Sequence, residues 1–232
     1  MPFPLNVDPL EILISNYRKF FGTHAPIIFD VGSRDGVDAK YIQDRLNSQL
    51  VICIDANPIA VDIIKNKYPD FKVHETAVSN ENGQITFNQV VSDNLEIIGC
   101  SSIFDKDLEN EPIFKDIINK ITVPVVKLTD IIEQEGLQLS FIDVMKIDVE
   151  GYSYQVLEGL GESLQNIKIL HIETEVKSAH DGHKNSLEVR NFMEVNNFYL
   201  ADVSYEWGPG IEDQVWVNKR IAQFNTECWS VV

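Results

Sequence analysis

The stretch Met145-Lys146-Ile147-Asp148-Val149-Glu150-Gly151 puts a lysine and two acids on alternate positions at the end of an apolar run. In an extended chain Lys146, Asp148 and Glu150 share one face, because side chains alternate with a period of two. A lysine beside two acids either makes a structural ion pair at a strand end or tunes protonation at a ligand site. Glu173 closes the next apolar run, His171-Ile172-Glu173-Thr174-Glu175, and the polar loop Ser178-Ala179-His180-Asp181-Gly182-His183 follows. Histidine moves protons near neutral pH. His180 or His183 is therefore the candidate base for an acceptor hydroxyl, with Lys146, Asp148 and Glu173 beside it. Asp148 and Glu173 are also candidate ligands for a divalent metal, since hard cations take carboxylate oxygens. His171 reads as a strand residue, and His24 and His74 have no supporting context.

A second constellation lies earlier. Asp30-Val31-Gly32-Ser33-Arg34-Asp35-Gly36 follows an apolar run and precedes a helical pattern. Gly32 permits a tight turn and a close approach of backbone to ligand. Three residues separate Gly32 from Gly36, so the dinucleotide fingerprint G-x-G-x-x-G is absent, as is the lysine and serine or threonine pair of a phosphate loop. Asp30 and Asp35 repel a pyrophosphate and favour a cationic cofactor. Asp55 ends the next apolar run, 23 residues past Gly32. An acid about 20 residues beyond such a turn suits two ribose hydroxyls. Asp30, Gly32, Ser33, Arg34, Gly36, Asp55 and Ala56 form the candidate cofactor set, which Asp148 joins.

Alternating elements must position these groups. Strands are expected at Pro26–Val31, Leu50–Asp55, Phe71–Val78, Phe141–Ile147 and Ile167–Ile172, short apolar runs of the kind buried in parallel sheets. Helices are expected at Leu10–Phe21, Val37–Leu46, Pro58–Lys67, Tyr152–Leu160 and Leu187–Val195. Asp8-Pro9 and Asn57-Pro58 supply helix starts, and Thr129 reads as the cap of a helix through Glu135. Gln84–Val90 and Ile121–Val126 read as a pair of strands, and Phe198–Val203 and Gln214–Val217 as two late ones. This order implies a doubly wound α/β sheet. Residues 1–232 read as a single domain, with a helical extension over residues 1–24 and a lid or insertion over residues 91–119, where Phe104 and Phe114 line the acceptor or pack in the core.

Composition narrows the function classes. The 19 Lys and Arg against 36 Asp and Glu give a net charge of −17, which opposes binding to nucleic acid or anionic membranes. Cys53, Cys100 and Cys228 show no metal spacing, as in a reduced chain. No apolar stretch approaches the roughly 20 residues that span a bilayer, and a cytoplasmic protein is expected.

Taken together, the residues resemble the FkbM methyltransferases over Ile27 to Lys219. The resemblance rests on Asp30-Val31-Gly32 to Gly36, Asp55-Ala56-Asn57-Pro58, Ala77-Val78-Ser79, Lys146 to Gly151 with Val156-Leu157-Glu158-Gly159, Glu173, and Asp213 to Val217. It implies a Rossmann-like class I methyltransferase fold, a seven-stranded and mostly parallel sheet whose last strand is antiparallel. It implies S-adenosylmethionine at Gly32 and Asp55, with adenine near Ala77 and Val78, and O-methylation of a small-molecule hydroxyl on a sugar or natural product. Arg34 stands where the family commonly has Asn, and Ser153 where it commonly has Glu. N- or carboxyl-methylation, and a non-catalytic scaffold, stay open beside this reading. An NAD-dependent oxidoreductase is disfavoured by the missing fingerprint.

Overall fold

The computed structural model describes residues 7–22, 24–92, 94–104, 117–138, 140–177, 182–205 and 210–222. Helix α1 (Pro9–Phe21) begins where the Asp8 carboxylate accepts the Leu10 N–H at 2.8 Å and Pro9 takes the first helical position. Next come β1 (Ile27–Val31), α2 (Val37–Leu46), β2 (Leu50–Asp55), α3 (Pro58–Lys67) and β3 (Lys72–Glu75). Asn57 caps α3 by accepting the Ile59 N–H, as its sequence signals. The chain then runs through β4 (Ala77–Ser79), β5 (Gly83–Val90), α4 (Leu95–Ile98), β6 (Ile118–Lys127) and α5 (Leu128–Gln134). It ends with β7 (Ile142–Ile147), α6 (Ser153–Leu160), β8 (Ile167–Glu175), α7 (Ser186–Val195), β9 (Phe198–Ser204) and β10 (Ile211–Asn218).

The described residues build two sheets. The larger has seven strands in the order β3-β2-β1-β7-β8-β10-β9. Its pairs are parallel except that β10 runs antiparallel to both β8 and β9. This is the doubly wound, mostly parallel sheet with an antiparallel last strand that was expected. The strand order reverses between β1 and β7, and a ligand crevice opens outside the carboxyl ends of strands at such a point.

The sheet is buried on both faces, so its strands are apolar without alternation. Phe29, Ile52, Met145, Leu170 and Trp216 face α5, α6 and α7. Ile28, Val51, Val144, Ile169 and Val215 face α1 and α2, where Leu13, Ile14 and Tyr17 cover them. The Tyr17 hydroxyl reaches the buried Asp143 carboxylate at 3.2 Å, tying α1 to the start of β7. The N-terminal helix is thus part of the core.

The second sheet, β4-β6-β5, takes up the expected pairing of Gln84–Val90 with Ile121–Val126. It also divides the expected strand Phe71–Val78. The Thr76 N–H still bonds Asp55 O, but its hydroxyl turns to Pro124 O at 3.0 Å, and Ala77 pairs with Val125. The chain changes sheets at Thr76. Two further expectations shift. Thr129 lies inside α5, its hydroxyl bonded to Ser163, and Lys127 holds the cap position without a side-chain bond. Helix α7 starts at a full capping box between Asn185 and Glu188. Helix α6 packs directly on β4, because a Cβ at Gly159 would stand 2.0 Å from Ser79 O.

Candidate active site

The face of the sheet under α1 and α2 changes character at the carboxyl ends of its strands. Two residues beyond Ile28, Val144 and Ile169, the alternation delivers Asp30, Lys146 and His171. Asp30 is in register with Lys146, and Lys146 with His171. Asp213 sits two residues before Val215 on β10 and joins the same face. All four are at most 4% exposed. A buried polar row therefore crosses four strands where apolar side chains would otherwise continue.

Lys146 is the hub. Its ammonium lies 2.9 Å from Asp148 Oδ2, 3.2 Å from Asp38 Oδ2 and 3.8 Å from Asp30 Oδ1. Burial alone would depress the lysine, but Asp148, Asp30 and Asp38 outweigh it and hold Lys146 well above its ordinary value. Burial raises Asp148, yet Lys146, by charge and hydrogen bond, and then Arg34 bring it below the usual range. Asp30 goes the other way. Burial pushes it up to about 7 against the pull of Lys146, and neither of its oxygens has a hydrogen-bond partner among the described residues. Glu173 is driven well above the carboxylate range by burial and then by the charges of Asp148, Glu150 and Asp213.

The glycine turn leans on this row. Gly32 has φ +81°, and a Cβ there would stand 1.7 Å from Asp148 O. The backbones after β1 and β7 thus meet at a distance only glycine allows. Asp55 Oδ2 accepts the Arg34 N–H at 2.8 Å, and Oδ1 accepts the Asn57 N–H at 2.8 Å. Each oxygen keeps a lone pair for a further donor. Burial lifts this carboxyl to about 6, and the two backbone bonds restrain the rise. Arg34 itself has φ +50°. That conformation favours Asn, the residue the family commonly has there.

A cavity of about 730 Å³ spans the two regions. Gly32, Ser33, Arg34, Asp55, Ala56, Ala77 and Val78 line one side, and Lys146, Asp148 and Glu173 the other. Ile98 and Ile103, from the segment expected to be a lid or insertion, also line it. Three expected residues lie outside the lining. Asp30 sits beneath it against Lys146. Gly36 holds the left-handed cap of α2, with Tyr68 packed on it. His183 is buried, lies 3.3 Å from Glu175 and sits beside the Phe104 ring. His180 and Phe114 lie outside the described residues. Phe104 packs edge-on to Tyr152 at 5.0 Å.

The cavity also takes in residues outside the candidate catalytic, cofactor and metal sets. Glu150 adopts φ +54°, and the Ser102 hydroxyl donates to its carbonyl. One oxygen each of Asp148, Glu150 and Glu173 fall within 4.8 Å of one another. His171 and Asp213 line the cavity and are joined by a 2.8 Å hydrogen bond. The signal for His171 was its period-two relation to Glu173. Asp213 stood out only through the family resemblance, because its pairing with β8 is long-range. No helix among the described residues is long and apolar enough to cross a membrane.

A family model described as the methyltransferase FkbM domain matches residues 30–200. The 2-O-methyltransferase NoeI of Sinorhizobium fredii is 28% identical over 169 residues, covering 68% of this chain and 66% of that protein. The match thus spans just under two thirds of the relative's length. An uncharacterized protein of Listeria monocytogenes serotype 4b shares the fold at 12% identity and TM-score 0.50, over 91% of this chain and 67% of that one. The magnesium protoporphyrin IX methyltransferase ChlM from Synechocystis PCC 6803, solved with bound S-adenosylmethionine, is 10% identical at TM-score 0.49, over 90% and 77% of the two chains.

Proposed function

The chain belongs to the FkbM methyltransferase family, and from that premise we propose that it transfers a methyl group from S-adenosylmethionine to a hydroxyl of a small, sugar-like acceptor. The observation that carries this is the one cavity in which the Gly32 turn and Asp55 face the polar row of Lys146, Asp148 and Glu173. A relative named as a 2-O-methyltransferase supports an oxygen acceptor.

The residues present fit the cofactor. The free lone pairs of Asp55 suit the two ribose hydroxyls. Ala77, Val78, Phe87 and Ile98 offer an apolar slot for adenine, and the backbone at Gly32 to Arg34 takes the amino-acid end. When bound, S-adenosylmethionine supplies an electrophilic methyl group on a cationic sulfonium. The ionised Asp148 stabilises nearby positive charge. Glu173, held toward its protonated form, donates a hydrogen bond to an acceptor oxygen. Alignment of two held reactants can contribute roughly 7–11 kcal/mol to such a displacement.

We assign Asp148 and Glu173 to the acceptor and the sulfonium rather than to a metal. One Asp148 oxygen is already bonded to Lys146. Exhaustive EDTA treatment is therefore expected to leave turnover unchanged, and loss of activity restored by added Mg²⁺ would return both residues to a metal site.

The test of the function is calorimetric titration with S-adenosylhomocysteine, followed by transfer of a labelled methyl group to a panel of free sugars and glycosides. Asp55→Ala is expected to weaken S-adenosylhomocysteine by at least about 100-fold, since two hydrogen bonds to a charged group contribute roughly 1.5–3 kcal/mol each. Equal affinity of the two proteins would remove Asp55 from the site.

A further inference from the structure

We propose that His171 and Asp213 form the proton-accepting pair of this site, with His171 Nδ1 taking the proton of the acceptor hydroxyl. The inference rests on the methyl transfer proposed above and adds the group that makes the oxygen nucleophilic.

The geometry begins with the hydrogen bond. His171 Nε2 lies 2.8 Å from Asp213 Oδ1, and both residues are 2% exposed. An ionised carboxylate only accepts, so Nε2 must carry the hydrogen. In the neutral ring that leaves Nδ1 as a bare lone pair. Nδ1 is buried and has no hydrogen-bond partner among the described residues. A buried acceptor without a partner is unfavourable, and a ligand hydroxyl would satisfy it. Both residues line the cavity, beside Glu173 and Ile211. One ring nitrogen fixed by a carboxylate and the other left bare is the arrangement a histidine base needs, because the carboxylate sets the tautomer and steadies the imidazolium.

The neighbours are poorer acceptors. Lys146 is held protonated by three acids. Asp148 is a weakened base, bonded to that lysine. Glu173 is held toward its protonated, donating form. His183 is paired with Glu175, outside the lining.

The step balances as follows. The hydroxyl oxygen bonds the methyl carbon while the carbon–sulfur bond breaks, and that electron pair stays on sulfur as a neutral thioether. The hydroxyl proton passes to Nδ1, and the imidazolium remains hydrogen-bonded to Asp213 through Nε2. Asp213 is thus a positioning residue.

The decisive test needs no acceptor. NMR on the full chain, with histidine labelled at its ring nitrogens, reads the His171 tautomer directly. The expected result is the neutral Nε2–H form with an unprotonated Nδ1, and a mixture of tautomers in Asp213→Asn. A neutral Nδ1–H ring in the wild type overturns the proposal. The second arm measures labelled methyl transfer to pooled methyl glycosides, with S-adenosylhomocysteine affinity and melting temperature read on every variant. His171→Asn is expected to lower kcat by roughly 100- to 10,000-fold, the usual worth of a positioned base, with KM and S-adenosylhomocysteine affinity retained. Imidazole is expected to restore part of the turnover of His171→Ala. Full turnover in a folded His171→Asn protein sinks the base assignment. Failure of the wild type to bind S-adenosylhomocysteine instead sinks the methyltransferase reading, and the tautomer result stands apart from it.

Discussion

Asp30 should make the protein lose stability as pH rises, and Asp30→Asn should remove that loss. The carboxyl is fully buried, lacks hydrogen-bond partners among the described residues, and has Lys146 at 3.8 Å. Its folded value, about 7, lies above its ordinary 3.8. Between those values the folded state binds more protons than the unfolded one, so stability falls as pH rises through the window. Below 3.8 there is no penalty, and above 7 it is complete. One pKa unit is worth about 1.36 kcal/mol, so the penalty is about 4 kcal/mol near pH 8.5 and about 2 kcal/mol near pH 5.5. The asparagine keeps the volume and drops the charge, and any constant cost of its amide cancels in the slope. Urea unfolding of both proteins at the two pH values reads the difference directly. Asp55 and Glu173 titrate in both proteins, so they cancel apart from the charge coupling between Asp55 and Asp30. Wild type should lose about 2 kcal/mol more than the variant between pH 5.5 and 8.5. Parallel curves would refute the reasoning and mean that Lys146 fully compensates the buried charge.

Three perturbations test the supporting frame and the site. Gly32→Ala drives a Cβ into Asp148 O at a positive φ, so S-adenosylhomocysteine binding should vanish in calorimetry and the melting temperature should fall. Gly159→Ala meets Ser79 O at 2.0 Å. It should cost roughly 1–3 kcal/mol of stability as overpacking does, with cofactor affinity changed far less than by Gly32→Ala. A melt matching wild type would show that α6 and β4 separate freely. Tyr17→Phe removes the hydroxyl on Asp143 and should cost about 1 kcal/mol, the usual worth of a hydrogen bond, without altering turnover.

The sequence by itself determined the alternation of strands and helices, because short apolar runs and capping signals act locally. Asn57-Pro58 fixed the start of α3, and the Gly32 turn with Asp55 stood out by spacing alone. The parity of Lys146, Asp148 and Glu150 was legible as well, since period two needs only an extended chain. Local signals failed where the chain changed partners. Residues 71–78 read as one strand, yet Thr76 turns from β2 to β6, whose Pro124 is 48 residues away. Thr129 looked like a cap and became an interior residue held by Ser163. His183 was a candidate base from its loop alone, and the fold sets it against Glu175, outside the cavity lining. The pairing of His171 with Asp213 spans 42 residues and depends on β10 running antiparallel to β8 in one register. A one-residue slip would turn Asp213 to the opposite face. The sequence therefore chose which residues end the strands, and only the tertiary register decided which of them meet, because side-chain contacts across a sheet follow strand pairing rather than distance along the chain.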